Sequence, residues 1–253
     1  EYKEKIMCGI IAAATEKSVG KLLVQGLYKM EYRGYDSAGV ALHQIDDIAH
    51  LRSLGKVKKL ESKMVKEKPK GKIGIAHTRW ATHGKPSEKN AHPHVSNNRV
   101  FIVHNGIIEN YVALKEQLIK KGYQFNSQTD SELIAHQLDF FLNQGSEMLE
   151  AMSLLKEKLE GAYAVAAIDL KNESHFYLMR NKSPLLLGQS DKGMFAASDP
   201  LALADLNNEF VFLEDVDVAE VSAKEYKILD KNQKRAIRKI TTIDVSSEAM
   251  GKN

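Results

Sequence analysis

Short strand-like runs crowd the two ends of this chain while helical periodicity fills its middle, which commits the chain to a mixed α/β architecture. Strand character appears over residues 8–14, 39–43, 72–77 and 100–104. It resumes over 163–170, 175–179, 185–187, 193–197, 210–213, 217–221 and 226–229. Helical spacing puts Val19, Leu22, Leu23, Leu27 and Met30 on one stripe, with Gly34 as a stop. Three more helices are expected over 109–121 with Gly122 as cap, over 131–142, and over 147–159 with Gly161 behind it.

With 253 residues and 43% hydrophobic content the chain can bury one large core or two modest ones, and one α/β domain is expected. No internal repeat or low-complexity linker divides it, and no boundary is expected before about residue 240. The assignment is an N-terminal extension over 1–7, one domain over 8–240 and the start of a linker over 241–253.

Charge and composition remove several function classes. A net charge of +3 from 36 basic and 33 acidic residues is too small for an electrostatic footprint on nucleic acid. The lysine-rich stretch 56–72 is interleaved with Glu61 and Glu67 and has no aromatic on which a base could stack, so it reads as a solvated helix face. No apolar run approaches the ~20 residues that span a bilayer. Residues 6–14 resemble a secretion signal only weakly, because Gly9 breaks the run and Glu1 and Glu4 dilute its basic flank. The single cysteine excludes an intrachain disulfide, and the expected location is the cytoplasm.

That cysteine, Cys8, follows Met7 directly. If Met7 were removed, Cys8 would carry both its thiol and a free α-amine, with pKa values near ~8.5 and ~7.7–8.0. Nucleophile and base would then be one residue. The stretch from His77 to Gly84 holds Arg79, Thr82 and His83, a set suited to gripping a small carboxylate at two points. A surface loop whose arginine pairs with a structural acid explains the same residues. Asn105-Gly106 between apolar flanks is a strong signal for a type I′ hairpin turn. Alternatively, the Asn105 amide and the Gly106 N–H form a pair of donors aimed at one oxygen. Asp130 lies in Thr129-Asp130-Ser131-Glu132, a capping-box pattern in which the helix dipole accounts for the acid; its functional alternative is to hold an ammonium group. His92, His94 and His104 raise a metal-dependent hydrolase as another alternative, without the two histidines four apart that mark helical zinc sites.

Taken together these segments resemble the glutamine-hydrolysing domain of the class II amidotransferases, within the N-terminal nucleophile hydrolases. Residues 31–39, 77–84 and 104–110 are most similar to the glucosamine-6-phosphate synthase branch. The resemblance implies a four-layer αββα sandwich of two mainly antiparallel sheets. It implies Cys8 as nucleophile with its own amine as base, and Asn105 and Gly106 as the oxyanion hole. Arg79, Thr82 and His83 would clamp the glutamine carboxylate, Asp130 with the Gly106 carbonyl would hold its ammonium, and Trp80 would lie on a closing loop. Arg33 and Gly34 would sit near the cysteine amine. No metal or organic cofactor is implied. The implied partners are L-glutamine and a sugar isomerase domain of the same full-length protein, itself a homodimer. A chain in which residues 1–7 block the Cys8 amine would bind glutamine without turning it over.

Overall fold

The computed structural model describes residues 8–80 and 84–243, and of Arg33 only the backbone. The chain opens with β1 (Gly9–Thr15), α1 (Gly20–Met30), β2 (Ser37–His43), β3 (Ile48–Leu54), α2 (Val57–Glu67) and β4 (Ile73–Arg79). Its middle holds β5 (His94–Ser96), β6 (Val100–Ile108), α3 (Tyr111–Lys120), α4 (Glu132–Asn143), α5 (Met148–Lys156) and β7 (Gly161–Asp169). Strands then follow almost without interruption: β8 (Phe176–Asn181), β9 (Leu186–Ser190), β10 (Gly193–Ala197), β11 (Glu209–Phe212), β12 (Val218–Val221), β13 (Tyr226–Leu229), β14 (Arg235–Ala236) and β15 (Ile240–Thr242).

Eight strands make one sheet in the order β15-β11-β9-β10-β1-β4-β2-β3, and seven make the other in the order β14-β13-β12-β8-β7-β6-β5. Pairing is antiparallel throughout the named ladders. Three apolar clusters set the layers. Ile10, Ala12, Ile75, Val103 and Ala166 meet between the sheets. Ile11, Ala13, Leu23, Leu27 and Leu60 join the first sheet to α1 and α2, and Ile102, Val165, Leu118, Leu138 and Met152 join the second to α3, α4 and α5. The expected αββα sandwich is therefore present. Both faces of β1 are covered, which explains why its burial is continuous rather than alternating. The chain's alanine run suits that position. Gly26 lets α1 settle on β1, since a Cβ there would stand 2.2 Å from Ile11 Cδ1.

Several local expectations are corrected. Asn105-Gly106 is no hairpin turn: β6 runs straight through both residues and pairs with the sequence-distant β7, Asn105 opposite Ala164 and Gly106 opposite Tyr163. Gly106 uses its φ of 126° to bring the two backbones together, because a Cβ would meet the Ala162 carbonyl oxygen at 2.0 Å. The helix expected over 147–159 ends at Lys156, and Gly161 behind it opens β7. Thr78 and Arg79, expected in a loop, complete β4. The edge strand β3 has no counterpart in the sequence reading. The lysine-rich stretch does form a helix, α2, which buries Val57 and Leu60. Among the described residues no helix is long and apolar enough to cross a membrane.

Candidate active site

The alternation that buries the sandwich also builds the site. On β4, Ile73 and Ile75 enter the inter-sheet core, and the next two positions on that face are His77 and Arg79. On β6, Phe101 and Val103 are followed on the same face by Asn105. On β1, the column Ala14, Ala12, Ile10 points back to Cys8. Gly9 pairs with Thr78 in the antiparallel ladder, so Cys8 lies at the Arg79 end of β4. Three strands thus change from apolar to polar at one end of the inter-sheet layer.

Cys8 is held on both sides. Its carbonyl accepts from Asn105 Nδ2 at 2.9 Å, a bond between the two sheets. Its Sγ accepts from the Trp80 N–H at 3.2 Å and lies 3.5 Å from the Trp80 carbonyl oxygen. The following strand is fixed by Ser198, whose Oγ accepts from Ile10 N at 3.0 Å and whose N–H donates to Ile10 O at 3.1 Å. Burial pushes the Cys8 thiol above its ordinary pKa, while the Trp80 N–H and the Arg79 charge pull it down. A thiol in this state needs a base at the moment of attack.

Arg79 is almost fully buried, with Nη1 3.5 Å from Asp36 Oδ1 and Nη2 donating to Gly84 O at 3.3 Å. Asp36 in turn accepts from Ser37 Oγ at 2.8 Å, and its N–H donates to Arg79 O at 2.7 Å. The indole of Trp80 is partly exposed. Gly34 follows a one-turn 3-10 helix over Glu31–Arg33 and takes a φ of 85°. Thr82, His83 and the Arg33 side chain lie outside the described residues.

Asp130 is buried and does not cap α4. Its Oδ2 accepts from Ile108 N at 2.8 Å, tying the start of that helix to the end of β6 two residues beyond Gly106. The capping box is not formed. Glu132 accepts from the backbone of Asn126 at 2.9 Å and of Ser127 at 2.7 Å, and the Thr129 hydroxyl pairs with His94 Nε2 at 3.0 Å. These bonds draw the 126–132 segment onto β5 and α4, so its polar groups serve the tertiary fold.

The histidines pack rather than converge. The His92 ring lies 4.1 Å from that of His77 and 4.6 Å from that of His94, centroid to centroid. His104 faces the helical layer, with Nδ1 2.9 Å from Ser131 Oγ. Among the described residues no group of three or more histidine, cysteine, aspartate or glutamate side chains is arranged to hold a metal ion. Burial lowers the pKa of all four, to about 3 for His77 and His94, so the rings are neutral near pH 7.

Asp36 and the Trp80 backbone were missed as site elements, as was His77, whose Nε2 meets Asn105 Oδ1 at 2.9 Å. Extending the Ile73, Ile75 alternation by one step would have found His77. The arrangement offers a thiol, an amide donor beside it and a buried guanidinium within one end of the sandwich.

A family model described as a glutamine amidotransferase domain matches residues 77–205. The glutamine–fructose-6-phosphate aminotransferase [isomerizing] of Vibrio parahaemolyticus is 44% identical over 244 residues, covering 96% of this chain and 40% of the relative. That of Haemophilus influenzae is 44% identical over 248 residues, covering 97% and 40%. The chain thus spans 40% of the length of these curated relatives. Among solved structures, the glutamine phosphoribosylpyrophosphate amidotransferase from B. subtilis superposes with a TM-score of 0.77 at 21% identity, over 90% of this chain and 50% of that one. A glutamine aminotransferase class-II domain protein from Silicibacter pomeroyi superposes with a TM-score of 0.57 at 13% identity, over 88% and 98%.

Proposed function

This chain belongs to the glutamine amidotransferase family, and we propose that it hydrolyses L-glutamine to L-glutamate and ammonia through a thioester on Cys8. The observation that carries the reading is the bond from Asn105 Nδ2 to the Cys8 backbone carbonyl at 2.9 Å, which ties the residue bearing the thiol to the amide donor across the two sheets. The Cys8 amine, when free, takes the thiol proton as sulfur attacks the side-chain carboxamide. The carboxamide oxygen gains its charge between Asn105 Nδ2 and the Gly106 N–H, where preorganised donors act without reorganising. The amine returns the proton to the departing ammonia, and water then cleaves the thioester.

Arg79, with Thr82 and His83, holds the α-carboxylate, while Asp130 and the Gly106 carbonyl hold the α-ammonium. An analogue lacking either charged group leaves its buried partner unpaired, which is the basis of selectivity. Trp80 contributes its N–H to the sulfur and its ring to the cover of the pocket. Arg33 and Gly34 border the cysteine amine.

For the whole protein, the relatives' name supports a role in which this domain supplies ammonia for making glucosamine 6-phosphate from fructose 6-phosphate. A sugar isomerase domain of the same polypeptide is then its partner, in a homodimer. The test of the domain's own activity is glutamate and ammonia release by protein whose amino terminus is confirmed by intact mass to be Cys8. Equal amounts of the two products, absent in Cys8→Ala, are expected; full activity in Cys8→Ala would overturn the reading.

A further inference from the structure

Asn105 must present nitrogen, not oxygen, to a developing oxyanion, and the two ends of its amide are nearly the same shape. What decides the orientation lies beneath it. Oδ1 meets His77 Nε2 at 2.9 Å, and Nδ2 donates to the Cys8 carbonyl at 2.9 Å. An amide oxygen only accepts, so the imidazole nitrogen facing it carries the hydrogen. A flipped amide would oppose its oxygen to the Cys8 carbonyl oxygen. One Nδ2 hydrogen serves that carbonyl, and the other is available to a substrate oxygen.

His77 is built to hold this hydrogen in place. It is fully buried, its backbone sits in the middle of the first sheet opposite Ile10 and Gly39, and its ring packs on His92. Gly39 makes room for that packing, since a Cβ there would stand 2.0 Å from the His92 carbonyl oxygen. A neutral ring has one N–H to place, and the Asn105 oxygen claims it for Nε2.

We propose that His77 is a positioning residue: its Nε2–H locks the Asn105 amide so that Nδ2 faces the oxygen of the scissile carboxamide. The proposal rests on the glutaminase reading for its kinetic consequence but not for its geometry.

The experiment compares His77→Gln, His77→Asn and His77→Leu, alone and combined with Asn105→Ala, in protein with Cys8 confirmed as the amino terminus. A glutamine side chain places an N–H near the position of Nε2, whereas asparagine places its own near Nδ1. His77→Gln is expected within about fivefold of the parent kcat. His77→Asn and His77→Leu are expected to lose about 10- to 100-fold in kcat with KM for glutamine unchanged, less than the ~10²- to 10³-fold typical when such a donor is deleted outright. In the Asn105→Ala background all three should have no further effect. The proposal is overturned if His77→Gln is as poor as His77→Asn, if the loss appears in KM, or if it persists in full without Asn105. Nitrogen-15 chemical shifts of the His77 ring give a readout that needs no turnover. The Nε2–H tautomer is expected, and the Nδ1–H tautomer would refute the proposal even if the parent protein released no glutamate. An inactive parent with the expected tautomer would instead reject the glutaminase reading and leave the locked amide standing.

Discussion

Gly106→Ala tests two demands on one residue, close pairing of β6 with β7 and, in the proposed reaction, an N–H for the oxyanion. The native φ of 126° lies where side chains are rarely tolerated, at a cost of roughly 1–3 kcal/mol. The added Cβ would also stand 2.0 Å from the Ala162 oxygen, whereas real Cβ contacts essentially never fall under 3.0 Å, so β6 and β7 must separate locally by at least 1.0 Å (3.0 − 2.0). A displacement of ~1 Å at a reacting centre costs about 10²-fold in rate. The variant should therefore lose about 2–4 kcal/mol in urea unfolding and about 10²-fold in kcat. Gly122→Ala is the control: φ is 93°, but nothing lies within 4 Å of its Cβ position. It should cost about 1 kcal/mol of strain and leave kcat unchanged. Parent-like kcat and stability in Gly106→Ala would refute the reasoning.

Asp130→Asn keeps an oxygen for the Ile108 N–H but removes the charge, so glutamine KM should rise about 10- to 100-fold with the unfolding midpoint nearly unchanged; steady-state kinetics and urea titration check both. Gly39→Ala forces the new Cβ against the His92 and Leu51 carbonyl oxygens, at 2.0 and 2.9 Å, and should destabilise the protein by about 3 kcal/mol or more in the same titration. The buried histidines make stability depend on pH. Their folded pKa values are depressed, to about 3 for His77 and His94, against ~6.5 unfolded, so below pH ~6.5 the unfolded chain binds more protons. Their contribution is complete above pH ~6.5 and is lost as pH falls toward 3, with a slope of up to ~1.4 kcal/mol per pH unit for each histidine. Urea unfolding from pH 7.5 to 4.5 should show the decline, and His77→Gln should flatten it by up to one proton.

What the sequence made legible depended on whether the signal was local. Amphipathic spacing identified α1, from Leu23, Leu27 and Met30, because a single helix face carries that information. The strand that follows Cys8 was likewise readable, whereas the last two residues of β4, Thr78 and Arg79, read as loop. The hairpin reading of Asn105-Gly106 fails because its strong turn propensity is local, whereas the β6–β7 ladder that overrides it joins residues on either side of three helices. The same holds for Thr129 and Glu132, whose spacing fits a cap but whose hydrogen bonds go to His94, Asn126 and Ser127. The edge strand β3 escaped notice because Ala49, His50 and Arg52 blur its alternation and only one of its edges is paired. His77 could be seen as polar but not as the partner of Asn105, since a contact between two sheets has no trace in spacing along either strand.

The most direct test of the account is intact-mass and peptide-mass analysis of acid-quenched protein during turnover of L-glutamine, using chain whose amino terminus is Cys8. A glutamyl adduct confined to the peptide bearing Cys8, formed fast enough to account for glutamate release and absent in Cys8→Ala, is the predicted result. Glutamate release with no adduct on Cys8, or with the adduct on another residue, would contradict it.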